Sequence, residues 1–135
     1  MELLLTGDED EAMINKYLDK SQLFVLYDKD TLTSLCAVSR INDTTIEIKN
    51  LSTYPEYQNK GYASILLDFI CKKYKENFKT LILGTGENDK TLNFYKKRGF
   101  VETHKIKDFF IDNYSHAIFE NGKQLIDMIY LEKNL

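Results

Sequence analysis

Between residues 8 and 18, Met13, Ile14, Tyr17 and Leu18 recur at helical spacing behind an acidic first turn. That pattern predicts a helix, with Asp8 as its cap. Three β-rich runs follow, at residues 22–28, 32–41 and 44–53, separated by the turns DKDT and NDT. Their hairpin-like succession predicts an antiparallel meander. The period then changes. Ile65, Leu66, Phe69 and Ile70 return at helical spacing between Gly61 and Tyr74, which predicts a second helix. TLILGTG, residues 80–86, is a short apolar strand bounded by glycine. DKTLNFYKKRGF reads as a helix with a basic last turn that stops at Gly99. FVETHKI and QLIDMIYLEK read as two final strands. The order α, β-β-β, α, β, α, β, β predicts one α/β domain over residues 1–135, built on a mixed, mostly antiparallel sheet.

Composition narrows the function. A chain of 135 residues, 43% hydrophobic, suits a single packed domain. Its net charge of −3 argues against nucleic acid as the main partner. No apolar run approaches the roughly 18 residues that cross a membrane. MELLLTGDEDE lacks the basic region of a signal peptide, so no membrane partner and a cytoplasmic location are expected. Cys36 and Cys71 have no CxxC spacing, and His104 and His116 have no partners at ligand spacing, so no metal is expected. Both cysteines fall on apolar faces and read as core.

One stretch asks for a ligand. Gln58-Asn59-Lys60-Gly61-Tyr62-Ala63 stands where a strand ends and a helix begins. Gly61 lets backbone approach a bound group closely. The amides from Asn59 to Ala63 are the unpaired donors of a helix start, suited to a pyrophosphate, and Lys60 adds positive charge. The plain alternative is a glycine turn with solvated side chains.

The segment resembles the acetyl-CoA signature Q/R-x-x-G-x-G/A of the GNAT superfamily of N-acetyltransferases. The resemblance continues downstream, where Asn88, Thr91, Phe94, Tyr95, Gly99 and Phe100 match N-x-x-A-x-x-L/F-Y-x-x-x-G-F. Thr91 replaces the usual alanine. The match runs from about Leu23 to the C-terminus. It implies the GNAT fold, in which the strand ending at Thr53 and the strand of residues 80–86 run parallel and splay apart. The pantetheine arm of acetyl-CoA would pair with backbone at Leu51, Ser52 and Thr53, and its pyrophosphate would lie on the amides of residues 58–63. Family members usually begin with a strand and a helix ahead of the helix placed at Asp8. Residues 1–6 can hold a remnant of only one, so the first strand is expected to be absent or reduced. Either the sheet edge stays bare or a homodimer covers it.

The resemblance also implies roles. Tyr95 would sit beside the acetyl-CoA sulfur and protonate the departing thiolate; the alternative is packing alone. Asn88 and Phe94 would contact the cofactor arm, although Asn88 can equally be only a helix cap. Glu47, six residues before Thr53, matches the general base of the histone-acetyltransferase branch; the alternative is a polar strand position beside Lys49. Phe109, Phe110, Tyr114 and Glu120 in the aromatic, acidic tail would receive a cationic amine, or else form core and solvated surface. The expected function is transfer of acetyl from acetyl-CoA to a primary amine, on a small molecule or a peptide, by direct attack in a ternary complex. A rival expectation is an acyl-CoA-binding regulatory module without turnover. A dinucleotide site is disfavoured, because the loop is not G-x-G-x-x-G.

Overall fold

The computed structural model of the chain describes residues 2–8, 10–120 and 122–135. The chain divides into two compact units: residues 1–81 with Leu135, and residues 82–134.

The first unit holds helices α1 (Glu2–Gly7) and α2 (Glu11–Leu18), strands β1 (Ser21–Asp28), β2 (Thr31–Arg40) and β3 (Thr45–Thr53), a single 3-10 turn (Pro55–Tyr57) and helix α3 (Tyr62–Tyr74). Residues 2–7 are helical rather than extended, and the first strand among the described residues begins at Ser21. The cap of α2 is Asp10 and not the expected Asp8: its carboxylate accepts from the amides of Ala12 at 2.9 Å and Met13 at 3.4 Å. Asp8 instead accepts from the Asp10 amide, which steadies the cap from outside the helix.

The three strands form the expected antiparallel meander. Helix α3 packs on all three strands, while α1 packs on β2 and β3, and α2 on β1. Phe24 meets Phe69 and Tyr74 of α3. Three residues earlier, on the opposite face, the Ser21 hydroxyl donates to the Tyr17 carbonyl of α2. Helices therefore cover both faces of β2, and its residues 33–39 are buried without the alternation a half-exposed strand would show. The core under α1 and α2 is Leu3, Leu4, Ile14 and Leu35.

That burial places polar groups in the interior, and each finds a partner. Ser34 and Thr53 share a hydroxyl bond of 2.8 Å, and the Thr33 hydroxyl donates to the Leu26 carbonyl. Asn50 on β3 donates to the Leu4 carbonyl at 2.9 Å and to the Tyr17 hydroxyl at 3.0 Å, and it accepts from Ser52. One side chain thus ties both N-terminal helices to the sheet. Asn50→Ala leaves these groups buried without it, and the expected loss is about 1–3 kcal/mol of stability. Urea unfolding midpoints measure it; an unchanged midpoint would mean the network contributes nothing.

The second unit holds most of β4 (Thr80–Gly86), then α4 (Asp89–Lys96), β5 (Val101–Ile106), α5 (Phe109–Asn113), β6 (Phe119–Glu120), β7 (Lys123–Gln124) and β8 (Met128–Asn134). Strand β8 lies between β4 and β5 and runs antiparallel to β5. Helix α4 closes at Gly99, whose φ of +92° is the left-handed conformation that favours glycine.

The final strand expected over residues 124–133 is broken. Leu125 is drawn into a small core with Phe110 and Ile118. The Ile126 carbonyl accepts from the Phe110 amide at 2.9 Å, and the Asp127 carboxylate accepts from the Asp108 amide at 2.9 Å. Residues 125–127 therefore hold the loop before them, and the ladder with β5 starts only at Met128.

Candidate active site

The first unit carries the loop that raised the question of a ligand. Asn59 has φ of +62° and Gly61 φ of +87°, two left-handed residues flanking Lys60. Left-handed residues of this kind are elements of anion-binding nests. The first amide to bond within α3 is that of Ile65, to the Gly61 carbonyl at 3.1 Å, so the amides of Tyr62 and Ala63 have no acceptor within the helix. A Cβ on Gly61 would meet no heavy atom within 4 Å. Only the positive φ calls for glycine within the protein itself.

Neighbouring side chains brace the loop. The Gln58 amide donates to the Thr53 carbonyl at 3.1 Å, joining the loop to the end of β3. The Lys60 ammonium lies 5.9 Å from the Tyr57 ring centroid, and Tyr57 stands edge-on to Tyr62. The Tyr62 hydroxyl donates to Asp28, and this carboxylate holds the Tyr62 phenol above its usual pKa. Tyr57 and Asp28 gave no signal in the sequence, because their part depends on contacts distant along the chain.

Glu47 lies farther down β3. A bulge in the pairing with β2 shifts the register between Ala37 and Val38, where Asn50 faces Ala37 and Ile48 faces Val38. Lys49 is the extra residue. Glu47 is buried, and its carboxylate is 3.0 Å from the Lys49 ammonium. Leu51 is half-buried, while Ser52 and Thr53 are buried.

The second unit carries Asn88, Phe94 and Tyr95. Asn88 caps α4 through its side-chain oxygen, which accepts from the Lys90 amide at 3.0 Å. Its side-chain nitrogen donates to the Glu120 carboxylate at 2.9 Å. Tyr95 is 7% exposed and makes edge contacts with Phe94 and Phe100. The Arg98 guanidinium stacks 3.9 Å from the Phe94 ring centroid and donates to the Phe94 carbonyl, which fixes that ring. Phe110 forms the interior of the small core, with Phe109 and Tyr114 packed around it. Phe109 and Tyr114 are half-buried, and Glu120 is exposed.

Cys36 is fully buried, and burial pushes its thiol pKa up to about 12. It stays protonated near neutral pH, so it cannot serve as the thiolate nucleophile of a covalent route. Among the described residues, no group of three or more His, Cys, Asp or Glu is placed to hold a metal ion, and no helix is long and apolar enough to cross a membrane.

The model of the acetyltransferase (GNAT) domain matches residues 19–102. The uncharacterized N-acetyltransferase YvbK of Bacillus subtilis (strain 168) is 32% identical, over 99% of this chain and 88% of that protein. A GNAT family acetyltransferase from Elizabethkingia anophelis, solved with acetyl-CoA bound, superposes with a TM-score of 0.94 at 34% identity, covering 99% of this chain and 89% of that one. A Bacillus subtilis acetyltransferase solved in complex with CoA gives a TM-score of 0.89 at 32% identity, covering 99% and 90%. The α/β architecture and the mixed sheet agree with these relatives, and the chain belongs to the GNAT acetyltransferase family.

Proposed function

We infer that this acetyltransferase moves the acetyl group of acetyl-CoA to a primary amine, on a small molecule or a peptide, by direct attack within a ternary complex. The observation that carries the reading is the loop at residues 58–63. It pairs two left-handed residues with a helix start, and its glycine has no heavy atom within 4 Å of where a Cβ would point. Such a cradle suits a pyrophosphate, and relatives at 32–34% identity were solved with CoA or acetyl-CoA. Lys60 and the amides of residues 59–63 neutralise the phosphates. Backbone at Leu51, Ser52 and Thr53 receives the pantetheine arm, and Asn88 and Phe94 are further cofactor contacts.

In the transfer, the amine nitrogen forms a bond to the acetyl carbon and the carbon–sulfur bond breaks. Tyr95 gives its hydroxyl proton to the leaving thiolate. The proton shed by the amine goes to Glu47, directly or through water. Glu47 is buried on β3, with its carboxylate 3.0 Å from the Lys49 ammonium. The aromatic segment with Phe109, Phe110 and Tyr114, followed by Glu120, forms the acceptor side. Phe110 shapes it from beneath, while Phe109, Tyr114 and Glu120 offer ring faces and charge to a cation.

A panel of amines incubated with acetyl-CoA, followed by release of free thiol, tests this function. Polyamines, amino acids, aminoglycoside-like compounds and peptide N-termini cover the acceptor classes. Thiol release that depends on one class, with acetylation at nitrogen by mass spectrometry, is the expected result. Thiol release at the rate of spontaneous hydrolysis with every class would overturn the amine-acceptor reading.

A further inference from the structure

Strand β1 is an edge. Among the described residues its one strand neighbour is β2, and that pairing runs unbroken from Ser21 to Leu26. On the other side of an edge strand, alternate residues turn their backbone N–H and C=O groups outward. Natural edges are commonly blunted by proline, by lysine or by other charges within the strand. The edge strand of the second unit, β5, follows that rule, with Glu102, His104 and Lys105 exposed along it. The middle of β1 does not: it reads Leu23-Phe24-Val25-Leu26-Tyr27, without a charge.

Apolar groups stand exposed on both faces of this edge. On one face, beyond the bond from Ser21 to α2, Leu23, Val25 and Tyr27 are 47%, 49% and 56% exposed. The other face carries α3. The Tyr62 hydroxyl donates to Asp28, the Phe69 ring meets Phe24, and the Tyr74 hydroxyl donates to Gln22. The helix therefore runs back along β1, and Ile65, one turn from both Tyr62 and Phe69, shares their side of it. Ile65 and Phe69 are 55% and 52% exposed. Half-exposed apolar side chains gathered along an open strand mark a docking face. An added strand covers both rows at once and completes the backbone bonds.

The sequence of β1 indicates which strand that is. Its apolar stretch is centred on Val25, with Lys20 five residues before it and Asp30 five residues after. Both of these charged residues are exposed. Two copies paired antiparallel about a two-fold axis at Val25 set Val25 against Val25, Leu23 against Tyr27 and Phe24 against Leu26. Gln22 then meets Asp28, an amide donor opposite a carboxylate, and Lys20 meets Asp30 at each end. Cross-strand pairs of these kinds stabilise a sheet. An isologous contact also closes at two copies, so no apolar edge is left to recruit a third. We propose that β1 is a self-association surface, whose partner is the β1 strand of a second copy of this chain, paired antiparallel about Val25. The inference is independent of the acceptor and of the acetyl-transfer steps.

Sedimentation equilibrium of the wild type, Val25→Lys, Lys20→Asp, Asp30→Lys and the double variant Lys20→Asp/Asp30→Lys tests it. The wild type is expected to have twice the monomer mass. Val25→Lys sets two like charges against each other at the axis and is expected to be monomeric. Val25 is half exposed in the single chain, and circular dichroism checks that the variant is folded. Lys20→Asp and Asp30→Lys each weaken association roughly 3–10-fold through the two end pairs, and the double variant restores it. The register is read by cross-linking. Directly opposed Cβ atoms lie about 4.5–5.5 Å apart, so Val25→Cys is expected to form a disulfide with its own copy under mild oxidation, while the wild type, with Cys36 and Cys71 alone, does not. A monomeric wild type, an open-ended series of larger oligomers, or a dimer undiminished in Val25→Lys would overturn the proposal. So would a dimer in which Val25→Cys stays uncross-linked and the exchanged charges fail to restore association, because its interface then lies elsewhere.

Discussion

Replacing Tyr95 with phenylalanine is expected to lower turnover about 100-fold or more, the range of a lost general acid, while acetyl-CoA binds almost as before. The structure makes this a clean substitution. Tyr95 is 7% exposed, and its ring stands edge-on to Phe94 at 5.2 Å and Phe100 at 5.4 Å between centroids. Phenylalanine keeps the ring and both contacts and removes only the hydroxyl. An interaction made chiefly in the transition state appears in kcat and hardly at all in KM. Steady-state kinetics across pH therefore show a fall in kcat with a nearly constant KM for acetyl-CoA. An unchanged kcat at every pH would reduce Tyr95 to a packing residue.

The other large effect is expected at Gly61. Gly61→Asp places a carboxylate where the loop turns its amides outward, and the rise in melting temperature that acetyl-CoA gives the wild type is expected to vanish. Two effects combine in this variant. Gly61 has φ of +87°, and a side chain in that conformation costs about 1–2 kcal/mol. The negative charge then repels the pyrophosphate. Gly61→Asn separates them, since asparagine matches the shape of aspartate, tolerates left-handed backbone and carries no charge. Differential scanning calorimetry with and without acetyl-CoA is expected to rank the shifts as Gly, then Asn, then none for Asp. A shift in Gly61→Asp equal to that of the wild type would place the pyrophosphate elsewhere.

Local rules were enough for much of this molecule. The three meander strands, β4 and the helices α3 and α4 stand within a residue or two of their pattern-based limits, because each is set by a local period and by punctuation such as Gly61 and Gly99. The two family signatures could be read for the same reason: the residues of each lie within one strand-to-helix turn or on one short helix.

Packing and chain geometry decided the rest, and several times a contact distant along the chain outweighed a local preference. Asp8 and Asp10 are both good caps by type, and the chain entry into α2 selected Asp10. Residues 125–127 belong to an apolar, strand-like run, yet Leu125 is buried with Phe110 and Ile118 and the ladder starts only at Met128. Lys49 is the extra residue of a bulge where β2 and β3 pair out of step, which the strand's own pattern did not mark. Asn50 could be assigned no partner until α1 and α2 lay over β3. The bond from Glu120 to Asn88 spans 32 residues. A polar side chain on a two-residue strand carries no period and no motif, so only the folded hairpin could show which amide it would hold.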